Sequence, residues 1–207
     1  MTLTKLDLKR DLRPLYSAGL TPRFVDVPCL PYLMLDGQGD PNTTAGYAFA
    51  VNAIYAVAYA LKAAIRQAEA GVDFAVMPLE GLWWSAEKIP YTAGEHANWD
   101  WTLMIAQPEF VTSEMLEQVR EGAARKSTPE AVAAVHFGTL CEGPCAQVMH
   151  IGPYPEEGSA ASRLRDFIAE NGRVPIGRHH EIYLSDPNRT APLRLKTVIR
   201  QPVVALG

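Results

Sequence analysis

His179-His180-Glu181-Ile182-Tyr183-Leu184-Ser185-Asp186-Pro187 puts an ionisable residue where a strand is usually apolar. Alternation sends Glu181, Tyr183 and Ser185 to one face and His180, Ile182 and Leu184 to the other. Asp186-Pro187-Asn188 then ends the strand with turn chemistry. Two readings fit: a solvated outer face, or a pocket wall on which a carboxylate and a phenol act together. An earlier stretch of the same design favours the pocket. In Met77-Pro78-Leu79-Glu80-Gly81-Leu82-Trp83-Trp84, the residues Glu80, Leu82 and Trp84 share a face.

Each of these strands follows a helical stretch, and each helix follows a strand that ends in a Gly/Pro turn. The first set runs from Phe24–Leu35 through Gly37-Gln38-Gly39-Asp40-Pro41-Asn42. Its helix places Tyr47, Val51, Ile54, Tyr55, Ala58, Leu61 and Ile65 on one side. The second runs from Cys145–Ile151 through Gly152-Pro153-Tyr154-Pro155 to a shorter helix carrying Ala160, Leu164, Phe167 and Ile168, which Asn171-Gly172 stops. A further strand closes each set, Trp99–Met104 and Leu193–Val204. The pattern predicts a duplicated strand-helix-strand-strand unit. A bridging helix over about 111–128, capped by Thr112 or Ser113, separates module one (about 20–110) from module two (about 130–207). Ser127-Thr128-Pro129 breaks that helix. A strand over Val132–Leu140 and a hairpin turn at Cys141–Cys145 are expected to follow.

Composition narrows the class. The 207 residues are 48% hydrophobic and 20% charged, with a net charge of -4. That balance suits a globular core and argues against nucleic acid as the main partner, since phosphate binding needs clustered Lys and Arg. No apolar run reads as a membrane span; Ala45–Ala64 comes nearest and reads as a buried amphipathic helix. Three cysteines, an odd count, fit reduced thiols, and with no signal-peptide core in Met1–Arg13 the expectation is cytoplasmic. The expected state is monomer or homodimer.

Several motifs need no ligand. Gly37-Gln38-Gly39 lacks the third glycine and the Lys-Ser/Thr ending of a phosphate loop and serves as a tight turn. Cys141 and Cys145 have the wrong spacing for zinc and no second pair, so neither metal nor cofactor is expected. Ser159 and Ser162 lack a nucleophile elbow. His179 and His180 point oppositely, so at most one of them enters a pocket.

The ordered set Asp36–Asn42, Pro78–Trp84, Gln107–Thr112, Met149–Tyr154, His179–Pro187 and Leu195–Val203 resembles the GyrI-like small-molecule-binding family. The likeness covers nearly the whole chain, in the branch without a DNA-reading domain. It implies an α+β fold: duplicated modules forming a curved antiparallel sheet around a cleft, with the helices on one side, as in multidrug-regulator effector-binding domains. It also implies an aromatic cleft with a buried glutamate for lipophilic, often cationic, aromatic compounds. In some relatives the implied activity is hydrolysis of cyclopropane-bearing DNA alkylators, and in the namesake it is protein binding that inhibits gyrase. Carried onto this chain, Glu181 and Glu80 are the expected cleft acids, and the catalytic pair if the protein is an enzyme. Tyr183, Trp84 and Trp101 are the expected walls, with Tyr55 and His179 as further ligand contacts.

Overall fold

The computed structural model describes residues 4–68, 72–85 and 99–206. In chain order these form β1 (Thr4–Leu6), α1 (Leu8–Asp11), α2 (Arg13–Tyr16), β2 (Arg23–Gln38), α3 (Ala45–Gln67), β3 (Val72–Phe74), β4 (Leu79–Ser85) and β5 (Trp99–Ala106). There follow α4 (Ser113–Ala124), α5 (Pro129–Ala134), β6 (His136–Ile151), a 3-10 turn (Tyr154–Glu156), α6 (Gly158–Glu170), β7 (Arg173–Pro175), β8 (His179–Tyr183) and β9 (Lys196–Ala205). The main sheet is antiparallel with order β6-β2-β5-β4-β8-β9-β7. Its ends meet because β6 is long enough to serve two partners. Residues 136–147 pair with β2 and residues 145–151 with β9, which curls the sheet into a barrel. The order β2-β5-β4 recurs as β6-β9-β8, each triplet interrupted by its long helix.

The two surfaces of this sheet do different work. Outside, α3 buries Ala50, Ala53, Ile54, Val57, Ala58 and Leu61, spaced three to four residues apart, against the sheet. A second cluster joins Ala160, Leu164 and Ile168 of α6 to Val148 and Ile199. Inside, side chains of non-adjacent strands meet: Tyr32 of β2 reaches Glu80 of β4, and His180 of β8 reaches Glu142 of β6. By length and composition α3 is apolar enough to cross a membrane, contrary to the sequence reading, yet its apolar stripe is packed on this sheet.

Three other expectations change. Of the strand expected over Val132–Leu140, residues 136–140 are strand, but 132–134 close a helix, Pro129–Ala134, whose Pro129 sits in the first turn, where its missing N–H costs nothing. Cys141–Cys145 is no hairpin: β6 runs straight through it in unbroken register with β2, and Gly143 takes a left-handed φ of 66° within the strand. Either side of Gly143, Glu142 and Gln147, five residues apart, both contact Arg200. Finally, Cys29 and Cys141, directly opposed on β2 and β6, form a disulfide and Cys145 alone is a free, buried thiol. The reduced-thiol argument for a cytoplasmic location therefore loses its footing.

Candidate functional site

Glu181 lies on the outer surface, in the seam between α3 and α6. The register puts Gly81 opposite Glu181, Leu79 opposite Tyr183 and Trp83 opposite His179, so these residues share one face. Tyr183 donates its hydroxyl to Glu181 Oε2 at 2.7 Å and accepts from Trp83 Nε1 at 3.2 Å. His179 Nε2 sits 3.1 Å from Glu181 Oε1 and donates to it as the Nε2–H tautomer. From α3, Tyr47 stacks on Trp83 (6.0 Å, 29°) and meets Trp101 edge-on (5.3 Å, 82°). Tyr154, in the turn before α6, meets Tyr183 edge-on at 5.7 Å. Indoles and carboxyls are buried at the bottom, while Tyr47, Tyr154 and Tyr183 are half-buried at the mouth. Gly81 makes this packing fit: a Cβ there would come within 2.8 Å of Trp83 Nε1 and 3.1 Å of Tyr183 Oη.

A residue the sequence reading passed over completes the site. Glu157, the N-cap of α6, is 1% exposed and faces Glu181. Burial first, then the Glu181 charge, pushes its carboxyl up to about 10. Thr197 and Glu181 are its hydrogen-bond neighbours, although among the described residues neither its Oε1 nor Thr197 Oγ1 makes a well-formed bond. Glu181 by contrast accepts from two donors, which favours its charged form. The pair is therefore asymmetric: Glu181 the anion and Glu157 the neutral acid. Burial, then Glu181, raises the Tyr47 phenol, and burial, then Glu157 and Glu181, raises Tyr154 to about 12, so both stay neutral. In sequence, Glu157 reads as an ordinary exposed residue at a helix start, a position that favours acids. The one usable signal is the aromatic Pro153-Tyr154-Pro155 turn just before it.

Glu80 and Trp84 are not in this cleft. Gly81 holds the position opposite Glu181, so its neighbour Glu80 points into the barrel. There Glu80, fully buried, accepts from Tyr16 at 2.6 Å, from Tyr32 at 3.4 Å and from His180 Nε2 at 2.9 Å. His180 Nδ1 bonds Glu142 at 3.0 Å, and Arg200 spans Glu142, Gln147 and the Leu15 carbonyl. Two carboxylates and two cations thus neutralise one another out of water, which suits a structural role. Trp84 lies at the strand end under the guanidinium of Arg178, 3.6 Å from its ring centroid. Trp101 is on the cleft side, its Nε1 donating to Gly39 O. Tyr55 accepts from the Leu79 backbone N–H and borders a separate surface depression with Phe49, Tyr59 and Lys126.

The GyrI-like small molecule binding domain matches residues 20–204. No curated protein matches the chain. An uncharacterized conserved protein from Listeria innocua is 36% identical with a TM-score of 0.87, over 96% of this chain and 100% of its own. A structure described as a hydrolase from the same organism is 35% identical with a TM-score of 0.83, over 96% and 100%. Another, also described as a hydrolase from Listeria innocua, is 36% identical with a TM-score of 0.86, over 97% and 100%.

Proposed function

Since the chain belongs to the GyrI-like small-molecule-binding domain family, we propose that it binds lipophilic aromatic cations in the seam between α3 and α6. One observation carries the reading: the Glu181 carboxylate is 4% exposed and set among Trp83, Tyr183 and, within one ring contact, Tyr47, Trp101 and Tyr154. A buried carboxylate gains from pairing with a cation that displaces no better partner, and ring faces add about 0.5–2 kcal/mol each. The repeated strand order supports division into two modules around this seam.

A second reading has its own support. Two relatives of similar length are described as hydrolases, and the cleft holds a protonated acid beside an ionised one. In that reading Glu157 gives its proton to a carbonyl oxygen conjugated with a strained cyclopropane as a ring C–C bond breaks, while Glu181 takes a proton from the water that attacks the ring carbon. Atoms balance: water adds across the opened bond and the pair ends with its single proton exchanged. Glu181→Gln separates the two readings. Under binding alone it weakens a planar cation by about 1.5–3 kcal/mol and leaves a neutral isostere nearly untouched. Under hydrolysis it retains most substrate affinity and loses turnover. Calorimetry and chromatography on both proteins decide the matter, and a variant unaltered in both assays refutes the site.

A further inference from the structure

The two cleft carboxyls belong to different elements, Glu157 to the start of α6 and Glu181 to β8, and they face each other almost without solvent. Their partners are unequal. Glu181 receives His179 Nε2 and the Tyr183 hydroxyl, whereas among the described residues Glu157 has only Thr197 and Glu181 as hydrogen-bond neighbours and its Oε1 is without a partner. An anion settles where donors converge, and two neighbouring carboxyls in a low-dielectric site cannot both ionise cheaply. We propose that the cleft is a site for a single positive charge: it takes planar aromatic monocations directly, and takes dications only by expelling the proton of Glu157. This inference rests on the cation-binding reading above and deepens it into a rule of charge selection.

The remaining groups around the pair frame the expected behaviour. Tyr47 faces it from α3, Tyr154 from the turn before α6, and His179 and Tyr183 from β8; Tyr55 and Asp186 act on Tyr154 at the rim, and His150 and Glu156 sit beside Gly152. Burial, ahead of the neighbouring charges, holds the Tyr47, Tyr154 and Tyr183 phenols protonated through the neutral range, so none of them supplies a second charge. A monocation neutralises Glu181 and removes its repulsion of Glu157, but the burial that keeps Glu157 protonated remains. A dication leaves one charge uncompensated unless the Glu157 proton departs to solvent. Release of one proton makes affinity rise about tenfold per pH unit while Glu157 is protonated in the free protein.

The probes are 1-methyl-4-phenylpyridinium, its near-isosteric dication 1,1′-dimethyl-4,4′-bipyridinium, and neutral 4-phenylpyridine. Titration calorimetry in two buffers of different ionisation enthalpy, from about pH 7 to about pH 9, counts protons directly. The expected result is no proton released by the monocation and close to one by the dication, whose affinity rises with pH. Glu157→Gln should abolish the slope for the dication; His179 and His150 remain in that variant, so the slope lost belongs to Glu157. A dication that binds without proton release, or a monocation that releases one, overturns the charge rule and leaves cation binding standing. Neutral 4-phenylpyridine binding as tightly as both cations, or no cation binding at all, overturns both.

Discussion

Replacing His180 by Gln tests whether the barrel is held by a charged cluster. His180 sits between Glu80 and Glu142 at 2.9 and 3.0 Å, with none of the three more than 3% exposed. Burial works against its charge, but Glu142 and then Glu80 override it and raise the imidazole from 6.5 to about 9. Burial likewise opposes the Glu142 charge, yet His180 and Arg200 draw it down to about 2. Both shifts report the same contacts and are counted once. Raising the imidazole from 6.5 to about 9 corresponds to about 3 kcal/mol. Between pH 6.5 and about 9 the folded protein holds a proton that the unfolded chain has lost, so stability falls as pH rises. The His180 contribution is complete below 6.5 and gone above about 9. That of Glu142 is present above 4.5 and lost as pH falls through about 2. His180→Gln leaves two carboxylates sharing Arg200, and it should cost about 3–5 kcal/mol near pH 6. The gap to the wild type should then narrow by about 3 kcal/mol toward pH 9. Urea unfolding followed by circular dichroism across this range reads it. A gap that stays constant with pH, or is below about 1 kcal/mol at its widest, refutes the reasoning.

Two further substitutions probe the frame of the cleft. Gly37→Ala would put a Cβ 2.1–2.6 Å from the ring of buried Trp101, itself held by Tyr47 and Gly39, so overpacking and a lost indole bond should cost about 2–4 kcal/mol by thermal unfolding. A shift below about 0.5 kcal/mol would show that Trp101 moves freely. Arg120 donates to the carbonyls of Val132, Ala133 and Val135 at the end of α5. Arg120→Met keeps the apolar stem and should cost about 1–2 kcal/mol, with faster amide exchange confined to α5 and the start of β6. Uniform exchange across the chain would contradict a local capping role.

Much was legible one strand at a time. The duplicated α+β pattern, the α3 stripe, the Thr112 cap of α4 and the two faces of β8 all follow from periods of 3.6 and 2. Those periods also separate His179 from His180, and the structure sends His179 to Glu181 and His180 to Glu80. What alternation cannot say is which face of one strand joins which face of another. Register decides that, and it is a property of two strands: Gly81, not Glu80, falls opposite Glu181, which moves Glu80 into the barrel and Trp84 away from the cleft. The Cys29–Cys141 bond depends likewise on where β6 meets β2. Glu157 was invisible because its burial comes from β8 and β9, distant in sequence, closing over a helix start that local chemistry alone would leave in water.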